Sequence, residues 1–106
     1  MTNRIHFHDL PHSRRVKEEF ERLATSLRDE FPEIQKLEVS LNHSHEDKET
    51  HVHVTGKDLE LAARAACREL HDSLVEAFDR LRRQLRKRHD KVIYARRREA
   101  QKNSRG

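Results

Sequence analysis

Tryptophan is absent from this 106-residue sequence, tyrosine, methionine and cysteine occur once each, and there are two glycines and two prolines. Each scarcity removes a class of function. Cys67 has no second thiol to oxidise with, so neither an internal disulfide nor a multi-cysteine zinc site is available. Two glycines are too few for a glycine-rich phosphate loop, and no nucleophile elbow is present. No apolar run approaches membrane-spanning length and no leader pattern opens the chain, so a soluble, cytoplasmic protein is expected. Only 33% of residues are hydrophobic and 5% aromatic. One small domain with a modest core follows, without an enclosed pocket for a small-molecule substrate. No enzymatic activity and no cofactor are expected.

Charge is what the sequence has in quantity: 40% of residues are Asp, Glu, Lys or Arg, the net charge is +4 and the pI is near 9.6. Its distribution is uneven. Residues 1–78 carry 11 basic and 16 acidic groups, a net −5, whereas residues 79–106 carry 12 basic and 3 acidic groups, a net +9. An acidic body with a strongly basic C-terminal quarter attracts a polyanion to one end of the molecule.

Residues 4–9 alternate, with Ile5 and Phe7 opposed to Arg4, His6 and His8, as in a half-buried strand. Pro11 ends it, and Ser13 is a suitable N-cap for a helix bearing Val16, Phe20, Leu23, Leu27 and Phe31 on one stripe up to Pro32. Leu37, Val39 and Leu41 alternate with polar residues, the polar stretch 42–49 reads as a loop, and residues 50–55 alternate again around Val52 and Val54. Gly56-Lys57-Asp58 signals a tight hairpin. Residues 59–68 fit either a strand or the start of a helix, since alanine favours helix but the residues also alternate. From Leu70 onward, Leu70, Leu74, Phe78, Leu81 and Leu85 mark a long helix. A domain over residues 1–91 and a basic tail over 92–106 that frays after a few turns are expected.

On that helix Arg80, Arg83, Lys87 and Lys91 share a stripe away from the apolar one, flanked by Arg82, Arg86 and Arg88. Cations at three- and four-residue spacing reach successive phosphates of a nucleic-acid backbone, and guanidinium groups also stack on bases. Few acidic partners are expected at i±4, which would leave the stripe unneutralised. Three histidine pairs, His6 and His8, His43 and His45, His51 and His53, have a spacing that suits metal ligation on a strand. All fall on expected solvent faces or in a loop, where histidine is an ordinary polar residue, so no metal is expected. Cys67 lies on an apolar face in either reading and is expected to be buried.

The stretch EVSLNHSHEDKETHVHVTGKDLELAARAACRELHDSLVEAFDRLRRQLRKRHDK resembles the bacterial hibernation-promoting factor and ribosome-associated inhibitor family, the sigma-54 modulation proteins, in their short form. The specific part is the helix, where Asp79, Arg80, Leu81, Arg83, Gln84, Leu85 and Lys87 match the family pattern. The resemblance implies an α+β fold of order βαβββα, a four-stranded sheet with two helices packed on one face and residues 59–67 as its fourth strand. It implies a partner, the small ribosomal subunit, bound through ribosomal RNA so that mRNA and tRNA are excluded in idle ribosomes. Carried over by position, the RNA-binding residues are Arg80, Arg82, Arg83, Arg86, Lys87 and Lys91, with Lys17, Arg22 and Arg28 from the first helix. The dimerisation domain of the long members is not expected here, so pairing of ribosomes by that route is not expected either; a monomer is expected, and promotion or blocking of ribosome pairing is left open. A stand-alone RNA-binding protein or RNA chaperone using the same face is the alternative; a histidine-rich metal-binding protein is the remoter one.

Overall fold

The computed structural model describes residues 2–8 and 10–104, the side chains of Thr2, Ser44 and residues 92–104 excepted. The elements are β1 (Thr2–Phe7), α1 (Arg14–Glu30), β2 (Ile34–Ser44), β3 (Asp47–Gly56), β4 (Leu59–Cys67) and α2 (Leu70–Ser104). They form one sheet in the order β1-β2-β3-β4, with β1 parallel to β2 and the other pairs antiparallel. This is the expected α+β, βαβββα architecture.

Local signals set most boundaries. Ser13 is extended and its Oγ accepts from the Val16 N–H at 3.3 Å, capping α1 as expected. The helix closes where the Phe31 N–H donates to the Leu27 carbonyl at 2.9 Å, one residue before Pro32. The last residue of β3, Gly56, is glycine for a steric reason, because a Cβ there would collide with the Glu33 carbonyl oxygen. The left-handed residue of that hairpin is Asp58 instead, at φ 58.

Two expectations need correction. Residues 42–49 are not a loop. Asn42 pairs with Glu49, His43 with Lys48 and Ser44 with Asp47, closed by a two-residue turn in which His45 takes φ 56. Backbone ladder bonds need no apolar side chains, so a wholly polar hairpin end forms once Leu41 and Thr50 hold the register. The C-terminal helix, as expected, continues for about three turns past Val92, to Ser104. Cys67 is half-buried at the end of β4, not fully enclosed.

β4 is a strand. Leu59, Ala63 and Ala65 are buried on the helix-facing side, while Glu60, Ala62, Arg64 and Ala66 are exposed. Alanine serves here as a small inward residue beneath α2, which overrides its intrinsic helical preference. Both helices lie on this face, over a core of Leu37, Val39, Leu41, Val52 and Val54 from the central strands. α1 adds Val16, Phe20, Ala24 and Leu27, and α2 adds Leu74, Ala77, Phe78, Leu81 and Leu85. Phe20 and Phe78 join the helices edge to face, ring centroids 6.3 Å apart. One polar pair lies inside the core. The Thr50 and Ser73 hydroxyls, both 0% exposed, are 2.7 Å apart, and Ser73 Oγ also donates to the Leu70 carbonyl at 2.8 Å.

Candidate nucleic-acid interface

α2 distributes its described cations over three sides, and each side is held differently. Toward β4, Arg80 Nη1 donates to the Arg64 carbonyl at 2.8 Å, Gln84 Nε2 to that of Ala62 at 3.1 Å, and Arg88 Nη2 to that of Asp58 at 2.9 Å. Four helical residues advance about 6 Å and two strand residues about 6.6 Å, so Arg80 and Gln84 follow the β4 edge from Arg64 to Ala62, while Arg88 reaches past the strand to Asp58 in the hairpin turn. Carbonyls at the edge of a sheet otherwise invite pairing with another chain. Arg80 is therefore partly committed to the fold, and it is also 3.2 Å from Glu76.

Toward α1, Arg82 and Arg86 converge on Glu30, in the last turn of that helix. Arg86 reaches Glu30 Oε1 through Nη2 at 2.6 Å and Nε at 3.3 Å. Arg82 Nε is buried 3.3 Å from Oε2 but off its hydrogen-bond axis, so that contact is ionic, while Nη2 donates to Ser26 Oγ at 3.3 Å. Arg86's hydrogen bond holds the Glu30 carboxyl below its ordinary range, and Glu30 in turn raises the guanidinium. The parallel run of the helices makes this possible, since Glu19 near the start of α1 likewise lies 3.7 Å from His71.

Toward solvent lie Arg83, Lys87 and Lys91, all exposed. Arg83 pairs with Asp79 at 2.8 Å. No described carboxylate comes within ion-pair distance of Lys87 or Lys91, which flank a groove of ≈ 390 Å³ with Leu61, Gln84 and Arg88.

The expectation of an unneutralised stripe is thus overturned in its N-terminal half. Glu76–Arg80 and Asp79–Arg83 are i, i+4 pairs, and Glu30 supplies a third carboxylate from the neighbouring helix. The first two were present in the spacing; the third depends on how the helices align. The α1 residues do not all join the face. Lys17 is exposed, Arg22 is paired with Glu19, and Arg28 is half-buried in a groove with Asn3, Thr25 and Asp29 on the β1 side.

The opposite face of the sheet carries His6, His8, His51 and His53. His53 Nε2 is 3.2 Å from Glu60, and the His6 and His8 rings are 6.1 Å apart. His43 lies in β2 and His45 in the turn. No cluster of three or more potential metal ligands occurs among the described residues, and no described helix is long and apolar enough to cross a membrane.

With this geometry in view, comparison with known proteins gives three findings. The chain matches the family model described as sigma 54 modulation protein / S30EA ribosomal protein over residues 4–93. Its fold is similar to that of a ribosomal subunit interface protein from Coxiella burnetii, with a TM-score of 0.69 and 14% identity over 85% of this chain and 99% of that one. It is also similar to the N-terminal domain of Protein Y from Thermus thermophilus, with a TM-score of 0.71 and 14% identity over 79% of this chain and 93% of that one. None of the curated proteins matches. A family match across residues 4–93, on a chain that folds as βαβββα, means that this protein belongs to the sigma 54 modulation protein / S30EA ribosomal protein family.

Proposed function

We propose that this protein binds the small ribosomal subunit through ribosomal RNA and inhibits translation by occupying the space that mRNA and tRNA need. The observation that carries the reading is the C-terminal half of α2. There Lys87 and Lys91 stand exposed without a described carboxylate partner, on a helix that continues into the basic residues beyond them. Phosphates on a structured RNA are the natural complement of such a surface. The family's description as an S30EA ribosomal protein, and the fold shared with a ribosomal subunit interface protein, support the choice of partner.

The mechanism is steric and electrostatic. A compact body with one positive side fills an RNA-lined channel, and ligands that need the same volume are excluded. No bond is made or broken, so neither a nucleophile nor a cofactor is required. A cytoplasmic monomer, silencing idle ribosomes under stress, is the setting this implies.

The test is co-sedimentation with purified small subunits across a salt series, using Arg83→Gln/Lys87→Gln/Lys91→Gln. Arg80 is left in place because it also serves the β4 edge. Each lost phosphate contact removes roughly 0.7 to 0.9 from the log–log salt slope, so the triple variant should flatten it by about two units and bind far more weakly. Cell-free translation should be inhibited correspondingly less. A variant that sediments and inhibits like wild type would refute the assignment.

A further inference from the structure

Resting on that reading, we propose that Glu30 and Asp79 are specificity-determining residues. They keep Arg82, Arg86 and Arg83 in carboxylate pairs, so that bulk RNA is bound poorly and only a site with suitably placed phosphates displaces them.

Three observations converge on this. The first is arithmetic of charge. Arg82, Arg86 and Glu30 together present +1 instead of +2, and Arg83 with Asp79 presents zero. Two of the six charges that α2 would offer to RNA are cancelled before any partner arrives. The second is exposure. The side chains of Arg83 and Arg86 are 74% and 61% exposed, so both can be reached by phosphate without unfolding anything. Pairs this exposed are weak and easily exchanged. The third is that the two helices are already joined by Phe20 and Phe78, so the carboxylates are not needed to dock them.

The consequence follows from how polyanions are bound. Loose association with random RNA depends on net local charge, which the two acids lower by two. A phosphate placed in line with Arg86 or Arg83 offers a bidentate, charge-assisted contact that outcompetes an exposed carboxylate. Unplaced phosphates do not repay the exchange. The acids therefore act as built-in competitors that penalise the wrong partner more than the right one, which is how specificity is raised without new attractive contacts.

The experiment compares Glu30→Gln/Asp79→Asn with Glu46→Gln/Glu60→Gln. Both double variants add two units of charge, but the second pair lies on the β2–β3 turn and on the sheet face away from the helices. Binding to poly(U) and to small subunits is measured over a salt series, with thermal melts alongside. The first variant should gain on the order of tenfold on poly(U), with a salt slope steeper by one to two units. Its preference for small subunits over poly(U) should fall, and the control variant should gain about twofold or less. Asp79→Asn alone, which touches no contact between helices, should give part of the same gain if the double variant folds poorly. Equal gains for the two double variants would mean that bulk charge alone is at work, and an undiminished preference for small subunits would refute the proposal. Wild-type protein that fails to sediment with small subunits would refute the ribosomal reading instead, a separate outcome from the poly(U) comparison.

Discussion

Single residues carry costs that their surroundings make calculable. Ser73 and Thr50 are completely buried and share one hydrogen bond, but Ser73 holds a second partner in the Leu70 carbonyl. Removing one hydroxyl is therefore not equivalent to removing the other. Ser73→Ala strands the Thr50 hydroxyl in the core and should cost about 1–3 kcal/mol, whereas Thr50→Val leaves Ser73 bonded and should cost less. Chemical denaturation of both variants checks the order. Glu30 gives a pH signature of definite sign. Its folded carboxyl is held below the ordinary value of 4.5 by Arg86. A depressed carboxyl contributes stability that is present above its unfolded value and is lost as pH falls through the folded one. The melting temperature should accordingly fall from about pH 4.5 downward, and Glu30→Gln should flatten that part of the curve relative to wild type. A variant whose acid limb is identical to wild type would mean the pair contributes nothing.

At the scale of elements, what was legible in the sequence divides by the range of the interaction. The strand alternation around Ile5 and Phe7, the Ser13 cap and the apolar stripes of both helices are encoded within a few residues, and the fold honours them. The hairpin at residues 42–49 was hidden because its cohesion is backbone to backbone and leaves no apolar trace. β4 was ambiguous because its alanines are chosen for the helix above them, a fact that exists only in the folded molecule. Of the nine candidate RNA contacts, all on α1 or α2, the pairing of Arg82 and Arg86 with Glu30 depends on side chains 52 and 56 residues apart in sequence. The ladder of Arg80 and Gln84 along β4, with Arg88 on the turn before it, is equally non-local. That ladder makes its own prediction. Replacing all three with Ala should uncover the β4 edge, lower stability by about 0.5–1.5 kcal/mol per bond at most, and raise self-association in sedimentation velocity. The Arg83, Lys87 and Lys91 triple variant should do neither, which separates the side of α2 that holds the sheet from the side that awaits RNA.

For the whole molecule, the decisive property is that its charge and its core are separated along one axis. The last described core residue of α2 is Leu85, and Arg88 makes its last described hydrogen bond to the body, yet the helix continues to Ser104. Those 35 helical residues span about 52 Å, most of the 62 Å long dimension of the molecule. Residues 92–106 contain five basic groups and one acidic group, a net +4, so removing them brings the chain from +4 to neutral. A chain ending at Lys91 keeps every described core contact and should melt within a degree or two of wild type. Its partner should find it more slowly, because steering of a polyanion depends on net charge and dipole, and steered association rates fall steeply with added salt. At low salt the association rate with small subunits should drop by roughly tenfold or more, and near 0.5 M salt, where the Debye length is only a few ångströms, the two proteins should converge. If instead the shortened chain differs from the full one by the same factor at every salt concentration, the segment contributes through short-range contacts. If it melts early, the helix beyond Lys91 is part of the folding unit and the expected boundary at residue 91 is misplaced.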